Sequence, residues 1–166
     1  MKKLYILVAM LLVSITALAQ DGRSLYNKYS DYDNVEAVYI SPAMFRLIGK
    51  IPDMDMEGEN VNLGPIIKSL SGLYILSIKQ GAVADELAAD VNHFIKKGQY
   101  ELLMEAKESG EVTRMYTVGD DSIVNSFVML QHDGVETNFI CLDGQMPREQ
   151  FETQIAEQMS DGEPSA

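Results

Sequence analysis

Asp53, Asp55 and Glu57 alternate along one short stretch of this 166-residue chain and run into Gly58. Alternating carboxylates that end on a glycine are how a calcium loop begins, because a hard cation gathers oxygen ligands from a tightly turning segment. The likeness stops early. Glu57 stands where such loops use Asp or Asn, Gly64 occupies the place of the bidentate glutamate, and Asn60 replaces the usual apolar anchor. A solvated acidic loop over Pro52 to Asn62 accounts for the segment, with loose calcium binding by residues 53–59 as the alternative.

The other reactive side chains are scattered. His93 lies beside Phe94 in a helical pattern and His132 lies at a turn, with no paired metal spacing between them. The single cysteine, Cys141, can form neither an internal disulfide nor a structural zinc site. It alternates with Phe139 and Val135 on one strand face and reads as a small buried hydrophobe. A nucleophilic thiolate would need a basic or helix-terminal setting, which its neighbours do not supply. The chain has no nucleophile elbow, Ser-x-x-Lys pair, phosphate loop or dinucleotide fingerprint. Carboxylates are plentiful enough for a glycosidase-like pair, but any acidic protein offers that. No catalytic residue, metal ligand or cofactor-binding residue is therefore assigned. Met44, Met104, Met115, Met129, Met146 and Met159 read as fillers of core gaps. Met54 and Met56, alternating with acids, read as residues that dock on the domain or mark a contact surface.

Lys plus Arg number 13 against 25 Asp plus Glu, a net charge of −12. That excludes the basic footprint of a nucleic-acid binder, since phosphates would be repelled. It leaves room for a basic partner, although a solvated acidic surface explains the charge by itself. A composition of 46% hydrophobic and 23% charged residues is that of a globular domain.

The N-terminus carries an export pattern. Lys2 and Lys3 precede the apolar stretch Leu4 to Leu18, and Ala17-Leu18-Ala19 offers a small-x-small cleavage site. The stretch falls short of the ~20 residues that span a bilayer. Cleavage after Ala19 is expected, and with no cysteine there to carry a lipid, the mature chain has no stable membrane anchor. The expected organisation is a leader over residues 1–19, one domain over 20–160, and a disordered tail over 161–166. The expected location is periplasmic or secreted.

Hydrophobic periodicity then orders the elements. A short helix runs through Leu25, Tyr26 and Tyr29, and the β-branched run Val35 to Ile40 is a strand. Ser41-Pro42 opens a helix carrying Met44, Leu47 and Ile48. Leu63 to Leu70 suits a short helix, and Leu73 to Lys79 is a strand apolar on both faces. Val83, Leu87, Val91 and Phe94/Ile95 form the clearest helical stripe, stopped by Gly98. Four alternating runs follow, near 102–107, 112–118, 122–130 and 135–142, joined by short turns as in an antiparallel meander. In the first of them Leu102, Met104 and Ala106 are expected to point one way. Pro147 opens a last helix with Phe151, Ile155 and Met159 on one stripe. The expected fold is α+β: a two-layer sandwich with a mostly antiparallel sheet of five to six strands and helices packed against it.

The export signal, the Val35–Ile40 strand leading into Ser41-Pro42-Ala43-Met44, the Leu73–Ser77 strand, Tyr100 to Glu105, and Leu142-Asp143-Gly144 together resemble an exported family of Bacteroides-type bacteria, domain of unknown function 4252. The resemblance implies a cell-envelope location and a compact α/β domain, and it brings no catalytic residue. The expected function is a non-enzymatic module that binds a protein or envelope component. The alternative is a hydrolase or transferase whose carboxylate site is assembled by the fold.

Overall fold

The computed structural model describes residues 22–48, 64–79 and 81–160. The elements are α1 (Gly22–Tyr29), β1 (Val35–Ile40), α2 (Pro42–Ile48), α3 (Gly64–Ser69), β2 (Leu70–Ile78), α4 (Ala82–Lys97), β3 (Glu101–Glu108), β4 (Glu111–Gly119), β5 (Ile123–His132), β6 (Thr137–Pro147) and α5 (Arg148–Ser160). The six strands form one sheet in the order β1-β2-β6-β5-β4-β3, with every neighbouring pair antiparallel. This is the expected α+β architecture, and β3 to β6 form the expected meander. The acidic segment 53–59, Met54, Met56, the leader and residues 161–166 lie outside the described residues.

Local chemistry sets the boundaries. Ser41 Oγ accepts a hydrogen bond from the Met44 N–H at 3.3 Å, capping α2. Gly98 ends α4 by donating its N–H to Phe94 O, beside Lys96 and Lys97 at the negative end of the helix dipole. The β3–β4 hairpin turns through Ser109 and Gly110, with φ of +51° and +95°, a mirror-type turn that suits the strand twist. Between β5 and β6, Asp133 Oδ1 accepts from the Val135 and Glu136 N–H groups at 2.8 and 2.7 Å. Val135 is therefore a turn residue and 54% exposed, not a strand neighbour of Cys141.

Alternation along each strand divides the apolar residues between two faces. One face is closed by α1 and α4. There Tyr74, Leu76 and Ile78 of β2, Val128 and Leu130 of β5, and Phe139 and Cys141 of β6 meet Leu25, Tyr29, Leu87, Val91, Phe94 and Ile95. Among the described residues the other face is covered at one end, where Ile66, Val124, Met146 and Phe151 form a small second core against Phe127, Leu142 and Ile155.

Candidate interaction surface

The strand registers place six apolar side chains in one line across the second face: Val38, Ile75, Ile140, Met129, Met115 and Met104. Each is the direct cross-strand partner of the next. Val38 is 47% exposed and the other five are half-buried. Neither core includes any of them. Directly opposite residues on antiparallel strands have Cβ atoms ~5 Å apart, so the row is one continuous apolar strip.

The row on one side is apolar at its centre, Leu73-Leu142-Phe127, and meets the second core. The row on the other side is polar as far as Ala106: Glu36, Ser77, Asn138, Gln131 and Thr113. Beyond it the strand ends are acidic. Asp33, Asn34, Val35, Glu36, Ser77 and Lys79 line an open depression of about 380 Å³. Glu111, Gln131, Asp133, Glu136 and Asn138 line a smaller one of about 80 Å³. Lys79 Nζ pairs with Glu36 at 2.8 Å. Glu108 and Glu111 are cross-strand partners, a like-charge pair that costs stability. Two backbone hydrogen bonds, from the Glu136 and Val135 N–H groups, hold the Asp133 carboxyl below its ordinary range.

Methionines build half of this half-buried row, against the expectation that they fill the core. Met146 alone of the described methionine side chains is fully buried, and Met44 is 48% exposed. A bulge between Leu102 and Met104 also breaks the expected alternation of β3. It sets Leu102 opposite Tyr116, on the helix-covered face, and Met104 opposite Met115, on the open one. An unbranched thioether suits both environments, which is why composition did not reveal the surface.

The other reactive residues serve packing. Cys141 is fully buried under α1, its Sγ 3.4 Å from Asp143 Oδ1 and 3.5 Å from Ser126 Oγ. A Cβ on Gly22 would run into the Cys141 side chain, so glycine permits this approach of α1 to β6. Burial and the Asp143 charge push the thiol pKa well up, the reverse of an activated nucleophile. The His132 ring nitrogen Nδ1 lies 2.8 Å from Thr137 Oγ1, whose hydroxyl donates to Ala84 O at 2.8 Å. That donation leaves Thr137 Oγ1 to accept from an Nδ1–H of His132. Thr137 is fully buried, and its bond to Ala84 O pins β6 to α4, while His132 stays half-buried with Nε2 3.6 Å from Asp85 Oδ1. His93 is exposed on α4.

Lys28 Nζ donates to Glu86 Oε1 at 2.9 Å and Asp90 Oδ2 at 2.6 Å, and Tyr29 OH donates to Asp90 Oδ2 at 2.7 Å. Burial pushes the Asp90 carboxyl up, and the bonds from Lys28 and Tyr29 more than reverse it. Glu105, held by Lys107 and Arg114, and Asp120, held by Ser122, are likewise kept below the ordinary carboxylate range. Among the described residues, no cluster of His, Cys, Asp and Glu fits a metal ion, and no helix is long and apolar enough to cross a membrane.

The pattern of the family described as Domain of unknown function (DUF4252) matches residues 29–153, and the chain belongs to that family. No curated protein and no solved structure matches the chain.

Proposed function

We propose that this chain is an exported, non-enzymatic module that holds a protein partner on the open face of its sheet. The observation that carries the reading is the row Val38-Ile75-Ile140-Met129-Met115-Met104, in register across every strand and left out of both cores. Contiguous apolar strips of this kind mark protein contacts, because water gains when they are covered. The export half of the reading rests on Lys2, Lys3, the stretch Leu4 to Leu18 and the Ala17-Leu18-Ala19 site.

Support against the carboxylate-enzyme alternative comes from Asp90, Glu105, Asp120 and Asp133. Each is held toward its charged form, whereas a general acid needs a raised pKa.

The test is capture from envelope extract by the native protein and by an Ile140→Asp variant with unchanged circular dichroism. The expected result is a discrete partner whose recovery falls by about tenfold or more in the variant, the size of a central contact. Recovery that ignores the substitution overturns the reading. Protein recovered from the envelope should begin at Gln20, and a retained Met1 would overturn its export by leader cleavage.

A further inference from the structure

We infer that the occupant of the open face is a basic amphipathic helix of a partner protein, an inference that rests on the reading of this face as an interaction surface. A sheet face that is apolar along a strip is covered by a layer of helix or of a second sheet, and this fold uses helices. The opposite face already shows this arrangement, with α4 laying Leu87, Val91, Phe94 and Ile95 on the strands. The open row crosses five strand spacings, ~24 Å at ~4.8 Å each. At ~1.5 Å per residue that length matches ~16 residues of helix. α4, with 16 residues, is a helix of that size.

Charge decides which helix. Asp33, Glu36, Glu108, Glu111, Asp133 and Glu136 border the strip along one side, where Lys79 pairs with Glu36. Alternation places Glu36, Glu108 and Glu111 on the same side of the sheet as the apolar row, and the turn residues Asp133 and Glu136 line one depression with Gln131 and Asn138 of that side. Among the described residues no cation pairs with Glu108 or Glu111, and a lysine or arginine set between them would relieve their repulsion. The depressions of about 380 and 80 Å³ along this border are open to such side chains. Acidic and amide groups that accept hydrogen bonds make up the wall of the smaller one, and in the larger one Asp33, Asn34 and Glu36 stand beside Val35, Ser77 and Lys79. Met104, Met115 and Met129 adapt to the side chains of an incoming helix, as flexible thioethers do. A second copy of this chain would bring the same acidic border and a net charge of −12, and an anionic membrane would be repelled outright.

The test uses the purified protein and two synthetic helical peptides with the same leucine stripe, one with lysine and one with glutamate on the polar face. Anisotropy titrations at low and high salt give the affinities. The expected result is binding of the leucine–lysine peptide that weakens with salt, with the leucine–glutamate peptide weaker by about tenfold or more. Met129→Gln should weaken the lysine peptide about fivefold or more, and Glu111→Lys with Glu136→Lys should do the same. Circular dichroism and thermal melting confirm that each variant is folded, and Ile140→Thr serves where Met129→Gln does not fold.

Equal binding of the two peptides overturns the inference. So does sensitivity to the charge reversals without sensitivity to Met129→Gln, which is charge attraction alone. A dimer by light scattering that Met129→Gln dissociates also overturns it, by naming a second copy as the occupant. If the peptides fail while Ile140→Asp still abolishes envelope capture, this inference falls and the interaction reading stands. If capture is indifferent as well, both fall.

Discussion

Leu76 and Ile75 are neighbours in the chain, equal in volume and opposite in fate. Leu76 is fully buried beneath α1 and α4, whereas Ile75 is half-buried on the open face and belongs to neither core. The same contrast of burial, without the match in volume, separates Phe139 from Ile140 and Val128 from Met129. One face of the sheet spends its apolar residues on folding. The other holds an equally regular apolar row in contact with solvent, and that difference is the physical basis for reading it as a contact surface.

The sharpest test of this contrast is paired truncation. Leu76→Ala should cost about 2–5 kcal/mol in urea unfolding, the range for deleting a buried leucine. Ile75→Ala should cost under about half of that, since part of its surface already faces water in the native state. Equal costs would mean that Ile75 is covered and the contrast is false.

The closed face is tight where α1 crosses β6. Gly22→Ala should destabilise by about 1–3 kcal/mol through overpacking against Cys141. The double variant Gly22→Ala with Cys141→Ala should recover part of that loss, because the substitutions share one contact. Strict additivity in the denaturant midpoints would contradict this packing.

A third difference is electrostatic. The Cys141 thiol is raised by burial, so above the unfolded pKa of ~8.5 the unfolded chain loses a proton that the folded chain keeps. Stability contributed by the neutral thiol is therefore complete below that pH and falls as pH rises. The fall approaches ~1.4 kcal/mol per pH unit for one proton. Tyr29, raised by burial and by Asp90, and Lys28, raised by Asp90 and Glu86, extend the loss to higher pH. Melting temperatures across pH 7–10 should show the decline, and Cys141→Ala should flatten its first part. A native protein that melts at one temperature throughout this range would contradict the assignment.

The smallest expected effect lies where the open face meets the second core. Thr117 Oγ1 is buried with no hydrogen-bond partner among the described residues. Thr117→Val should raise stability by ~1 kcal/mol, since it removes an unsatisfied group and keeps the shape. A destabilised variant would show that the hydroxyl has a partner.

The elements themselves were legible in the sequence, because period and punctuation are local. Leu87, Val91 and Phe94 announce α4, Gly98 ends it, and Asp133-Gly134 makes the turn between β5 and β6. The surface was not legible, because it is made by register. Val38, Ile75, Ile140, Met129, Met115 and Met104 come from six separate strands, and nothing local states that they stand in one line. The bulge after Leu102 reverses the expected parity of β3 and brings Met104 into that line. Burial of methionine cannot be inferred from its type, and here the type occurs both in the core, as Met146, and on the open face.

Oxidation of the methionines by hydrogen peroxide, followed by peptide mass spectrometry, tests the central claim most directly. If the second face is open, Met104, Met115 and Met129 convert to sulfoxide early while Met146 stays reduced until the protein unfolds. Protection of Met115 and Met129 equal to that of Met146 would contradict the account.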